Sequence, residues 1–66
     1  MGKEQKPVAV GDELNVHVEA IAQRGDGIAK IQGFVVFIKG GQLDQNVRVR
    51  VTKVFDKFAV AEPIGG

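Results

Sequence analysis

Sixty-six residues with a formal net charge of +1, 44% hydrophobic residues and no cysteine bound one small domain, near the size at which a core barely offsets chain entropy. Disulfides and thiolate metal sites are excluded, and the longest apolar run, residues 34–38, is far too short to span a membrane. No apolar leader stands in Met1-Gly2-Lys3-Glu4-Gln5-Lys6, so a cytoplasmic protein is the default expectation.

The chain opens with a polar segment, residues 1–7, expected to be a disordered tail. Val8-Ala9-Val10 then leads into Gly11-Asp12, a turn signal. From Glu13 to Ala22 apolar and polar residues alternate, with Leu14, Val16, Val18 and Ala20 on one face. That period belongs to a half-buried strand.

The stretch from Gln23 to Ile38 sets the topology. Arg24-Gly25-Asp26-Gly27 is a glycine-rich turn, with Gly25 and Gly27 read as supplying positive φ. Two β-rich runs, 28–31 and 34–38, flank Gln32-Gly33, the spacing of a tight hairpin. In the second run Phe34, Val36 and Ile38 are expected inward, Val35 and Phe37 outward.

Residues 39–45 read as a polar loop. Alternation resumes from Asn46 to Val51, with Val47, Val49 and Val51 inward and Arg48 and Arg50 outward. The phase slips near Thr52-Lys53-Val54, the mark of a bulge or bend. Phe55-Asp56-Lys57 turns the chain into a last strand, 58–62, with Ala59 and Ala61 inward and Phe58 and Val60 outward. Pro63 is expected to stop pairing, leaving 63–66 as a flexible tail. No window shows helical period. The elements predict an all-β fold, a small five-stranded antiparallel barrel of OB type.

The inventory for catalysis is nearly empty. Ser, Cys, Tyr and Trp are absent, Thr52 is the only hydroxyl side chain and His17 the only imidazole. No enzyme, no metal site, no cofactor and no small-molecule substrate are expected. Charge, by contrast, is unevenly spread. Residues 1–23 carry −2 and residues 24–57 carry +4, which hints at a polyanionic partner. Arg24, Lys30, Lys39, Arg48, Arg50 and Lys57 are candidate phosphate contacts. Phe37 and Phe58, on the outward phase of their strands, are candidate platforms for unpaired bases. Phe34 and Phe55 are open between core and surface. The ending Gly65-Gly66 matches a diglycine modifier, but those folds need a long helix that no segment supplies.

Gly11-Asp12-Glu13, Arg24 to Lys30, Gly33 to Ile38, Val47-Arg48-Val49 and Phe58 to Glu62 together resemble the TRAM domain, over residues 8–62. The resemblance implies an OB-like barrel that binds RNA, tRNA especially, found as an appendage of tRNA-modifying enzymes and as free-standing archaeal proteins. Free-standing members imply RNA-chaperone activity and a role in cold response. The loop 39–45 departs from the family in lacking proline. The expected partners are tRNA and other structured or single-stranded RNA, bound by a monomer. The alternative is a protein-interaction barrel accessory to the translation or tRNA-modification machinery.

Overall fold

The computed structural model describes residues 7–64. Six strands run β1 (Glu13–His17), β2 (Ala20–Ile21), β3 (Gly27–Ile31), β4 (Phe34–Ile38), β5 (Asn46–Val54) and β6 (Phe58–Pro63), with no helix among the described residues. They form one sheet in the order β1-β5-β6-β4-β3-β2. β1 and β2 are consecutive in the chain yet end the sheet on opposite sides. The sheet therefore curls into the barrel-like all-β form that the alternation implies.

The junction is Val18-Glu19. The Val18 N–H donates to the Gln45 carbonyl at 2.9 Å and its carbonyl accepts from the Asp44 N–H at 2.8 Å, both on the β5 side. The next residue, Glu19, donates instead to the Ile28 carbonyl of β3 at 2.8 Å. Residues 13–22 thus hand their hydrogen bonds from one neighbour to the other within a single step. That handover divides the expected single strand into β1 and β2, giving six strands rather than five.

Pairing is antiparallel except between β4 and β6, which run parallel from Val35 opposite Phe58 to Ile38 opposite Ala61. Parallel neighbours need a crossover, and β5 with its flanking loops supplies it. The β3–β4 hairpin is the expected two-residue turn. Gln32 (φ 53°) and Gly33 (φ 84°) are both left-handed, as a type I′ turn requires. Thr52 is the extra residue of a bulge: the β5–β6 register shifts between Val51 and Lys53. Its hydroxyl donates to the Val60 carbonyl at 3.2 Å.

Alternation fills the core with Val16, Val18, Ala29, Val36, Ile38, Val49, Val51, Ala59 and Ala61, while Leu14, Phe34 and Val47 pack against its margin. Each fully buried valine or isoleucine contributes about 1.5–3 kcal/mol relative to exposure. Val8 is also core, 4% exposed, which its place in a short lead-in segment did not announce. The segment is held by Gly11 N–H to the Val51 carbonyl and Val51 N–H to the Asp12 carbonyl, each 2.8 Å.

Two local expectations are corrected. Gly25 has the left-handed φ expected of it (98°), but Gly27 does not. Gly27 is a strand residue packed flat on Gly41, where a Cβ would meet Val18 Cγ1 at 3.0 Å and the Gly41 Cα at 3.1 Å. Its glycine is needed for close approach, not for turning. Pro63 does not end the pairing either: it lies opposite Val49, and the Ile64 N–H donates to the Arg48 carbonyl at 2.9 Å. Proline is tolerated because Pro63 faces Val49 at a non-hydrogen-bonded position of the antiparallel ladder, one step before the Ile64–Arg48 bond, so its nitrogen points away from β5 and no rung is lost. Of the expected tails 1–7 and 63–66, residues 1–6 and 65–66 lie outside the described residues.

Candidate nucleic-acid interface

Because β4 and β6 are parallel and in register, their outward residues form adjacent rows. Val36 and Ile38 point into the core opposite Ala59 and Ala61, so Phe37 must point out beside Val60, and Phe58 beside Val35. The two rings meet edge to face, centroids 5.5 Å apart at 79°. Phe55, just past the end of β5, stacks on Phe58 at 4.7 Å and 25°. Its backbone N–H donates to the Phe58 carbonyl at 2.8 Å, which closes the 55–58 turn and fixes the ring. Phe37, Phe58 and Phe55 form a continuous aromatic run on the outside of the sheet, with Phe55 43% exposed. Phe34, by contrast, packs against the core margin.

A shallow cleft of about 480 Å³ opens along this run, lined by Ala22, Arg24, Asp26, Phe37, Lys39, Phe58 and Val60. The 22–27 turn brings Arg24 to one wall, held by the Gly25 N–H donating to the Ala22 carbonyl and the Ala22 N–H to the Asp26 carbonyl, both 2.8 Å. Lys39 follows directly from β4, its N–H donating to the Ala61 carbonyl at 3.0 Å. Neither cation has an ion-pair partner among the described residues.

Four of the eight residues singled out from the sequence, Arg24, Phe37, Lys39 and Phe58, therefore share one cleft. Lys57 borders the neighbouring depression around Phe55 and Phe58. Lys30 sits outward on β3, 4.0 Å from the Glu19 carboxylate. Arg48 and Arg50 stand apart, on the β1 side of β5. Arg50 donates to Glu13 Oε2 from Nη2 at 2.7 Å and from Nε at 3.2 Å. Arg48 Nη1 reaches Asn15 Oδ1 at 3.4 Å, and its Nη2 lies 3.8 Å from Glu13 Oε1. The Arg50 hydrogen bond, then its charge and that of Arg48, hold the Glu13 carboxyl below the usual carboxylate range.

Lys53 was missed as a site candidate. The bulge at Thr52 resets the phase so that Lys53 is exposed opposite Val60, which itself lines the cleft. The slip in alternation was the available signal, but its direction depends on the pairing partner. Asp26 was likewise passed over as a turn residue. His17, exposed on β1, has Nδ1 2.9 Å from Asn46 Oδ1 and Nε2 3.4 Å from Asp44 Oδ1. No group of three or more His, Cys, Asp or Glu side chains converges among the described residues. No helix there is long and apolar enough to cross a membrane.

Comparison with known proteins gives the context of this surface. An uncharacterized protein of Methanocaldococcus jannaschii is 45% identical over 58 residues, covering 88% of this chain and 75% of the relative. The ribosomal RNA large subunit methyltransferase E of Haloarcula marismortui is 41% identical over 58 residues, 88% of this chain but 22% of the enzyme. The chain spans between 20% and 26% of the length of most of the curated relatives it matches. Among solved structures, that of a conserved protein from Methanococcus maripaludis superposes with a TM-score of 0.90 at 40% identity, covering 98% of this chain and 93% of that one. The family model of the TRAM domain matches residues 7–64, so nearly every strand and turn described above lies within it, and the chain belongs to the TRAM domain family.

Proposed function

We propose that this chain is an RNA-binding module that holds unpaired nucleotides on its aromatic face and acts as an RNA chaperone, without catalysis of its own. The observation that carries the reading is the run Phe37–Phe58–Phe55 on the outer surface, flanked by Arg24 and Lys39, which have no ion-pair partner among the described residues. Exposed rings are an unfavourable surface without a partner. Bases stack on them for about 1–3 kcal/mol each, in a sequence-tolerant way. Lys30, Lys53 and Lys57 extend the positive charge away from the cleft, along which a backbone can track. Shallow walls and few phosphate contacts give modest affinity, which suits a chaperone that must release its RNA. Membership of the family, and the matching region in an enzyme named for ribosomal RNA, support the same reading. Structured RNAs with exposed single strands, tRNA among them, are the proposed partners of a cytoplasmic monomer, with a role in cold response.

Gel-shift titration of a single-stranded RNA and a hairpin at several salt concentrations tests this. Binding should weaken with salt with a slope corresponding to roughly three to six phosphates, and the hairpin should melt at lower temperature in the presence of protein. A salt-independent response, or no binding, would favour the alternative in which the phenylalanine face docks another protein.

A further inference from the structure

The charges that line the cleft do not cancel in pairs. Asp26 lies there with Arg24 and Lys39. Among the described residues no ion pair joins Asp26 to either cation, and its carboxylate has no hydrogen-bond donor. Its orientation follows from the register. Gly27 is an inward position opposite Ile38, and Ile28 an outward one opposite Phe37. Residue 26 therefore returns to the outward phase, beside Lys39 and on the side of Phe37. The turn that presents it is fixed by its own carbonyl, which accepts from the Ala22 N–H at 2.8 Å, and by the left-handed Gly25.

A free carboxylate repels phosphate, so in a groove that only tracked a backbone Asp26 would weaken binding. It strengthens binding where the ligand brings N–H donors to it. The bases differ in this respect. Guanine offers N1–H and the 2-amino group side by side, two donors spaced for the two oxygens of one carboxylate. Adenine and cytosine offer one amino group next to a ring-nitrogen acceptor, and uracil offers N3–H between two carbonyls. Only guanine pairs with both oxygens and turns no acceptor toward them.

We propose, resting on the RNA-binding reading above, that Asp26 selects an unpaired guanine. The base lies against Phe37 and Phe58 with its Watson–Crick edge on the Asp26 carboxylate, and Arg24 and Lys39 take the flanking phosphates. A guanine already paired in a duplex has that edge occupied, so the contact selects guanines that are unpaired.

The test is fluorescence anisotropy with two RNA heptamers that differ only at the central base, guanine in one and adenine in the other. The wild-type chain should bind the guanine heptamer about tenfold more tightly or better, the discrimination of one good bidentate pair. Inosine at the centre, which lacks the 2-amino group, should recover only part of that preference. Asp26→Ala, checked for folding by thermal melting, should bind both heptamers alike and the adenine one at least as tightly as wild type does, because a repelling charge has gone. Equal binding of the two heptamers by wild type overturns the proposal, as does a preference that survives in Asp26→Ala. Guanosine monophosphate displacing the heptamer at equal concentration would also overturn it, in favour of a free-nucleotide site. Failure of wild type to bind either heptamer is a different result: it removes the RNA-binding reading itself.

Discussion

Arg50 reaches across the β1–β5 pair and fixes one oxygen of Glu13 with two donors, Nη2 at 2.7 Å and Nε at 3.2 Å. The two residues are direct register partners, Glu13 opposite Arg50, so strand pairing alone places the carboxylate under the guanidinium. Arg48, two positions along the same face, adds its charge to the other oxygen. The consequence is a pH dependence with a definite sign. The Glu13 carboxyl is lowered from 4.5 by the Arg50 hydrogen bond first, then by the two positive charges. Its contribution to stability is complete above the unfolded value and is lost as pH falls through the lower folded value. Urea melts should therefore show a decline below about pH 4.5 that is shallower in Glu13→Gln. Parallel curves for the two proteins would show that the ion pair contributes nothing to folding.

The same contact competes with ligand. Phosphates must displace the Glu13 carboxylate before Arg48 or Arg50 can serve them, whereas Arg24 and Lys39 have no such rival among the described residues. Glu13→Gln should then tighten RNA binding and steepen the salt dependence by up to about two phosphate equivalents, since two arginines are released. Titration of one RNA at several salt concentrations reads both quantities. An unchanged slope would place Arg48 and Arg50 outside the RNA footprint.

Packing of Gly27 on Gly41 gives a stability prediction that separates two uses of glycine. An alanine methyl at 27 would stand 3.0 Å from Val18 Cγ1 and 3.1 Å from the Gly41 Cα. Backbone on one side and a fully buried valine on the other leave little room to yield, so Gly27→Ala should cost about 1–3 kcal/mol by overpacking. Gly33→Ala has open space around it but φ +84°, and should cost about 1–2 kcal/mol through the backbone alone. Denaturant midpoints distinguish the sites when the second strand of the contact is relieved. Val18→Ala should offset part of the cost of Gly27→Ala, because one of its two close contacts is a side chain, and none of the cost of Gly33→Ala, which meets nothing within 4 Å.

How much of this was legible beforehand depends on whether a feature is local. Period-two alternation in residues 13–22 and 46–51 places Val16, Val18, Val49 and Val51 in the core, and Gln32-Gly33 marks its own tight turn, whereas the wholly apolar run 34–38 has no such period and takes its faces from pairing with β3 and β6. The bulge at Thr52 was visible as a slip of phase. Features set by a distant partner were not. Nothing local at Val18-Glu19 says that hydrogen bonds pass from Gln45 to Ile28, and nothing at Gly27 says that Gly41 lies against it. The candidate site divides in the same way. The outward phase of Phe37 and Phe58 followed from their neighbours. The gathering of Arg24 and Lys39 around them came from the parallel β4–β6 pair and the curl of the sheet, and the withdrawal of Arg48 and Arg50 toward Glu13 from the antiparallel β1–β5 register.

The aromatic run makes the sharpest demand on the proposed function. Phe37 and Phe58 are half-buried on each other and outside the core, where Val36 and Ala59 occupy the inward positions between them. Truncating either ring should therefore cost less than a core truncation: about 0.5–1.5 kcal/mol for the lost ring–ring contact plus partial burial, against about 2–5 kcal/mol for Ile38→Ala. RNA affinity should respond more strongly. Phe37→Ala and Phe58→Ala should each weaken single-stranded RNA binding by about 1–3 kcal/mol, with the salt slope nearly unchanged because no phosphate contact is lost. Phe58→Ala should be the more damaging, since it sits between Phe37 and Phe55 and its loss divides the run in two. Lys39→Ala should do the converse, lowering the slope by about one while leaving stacking intact. Thermal melts and salt-dependent titrations on the same four variants decide between the uses of this face. Ring variants that keep their RNA affinity would mean that the phenylalanines serve a protein partner or the fold instead.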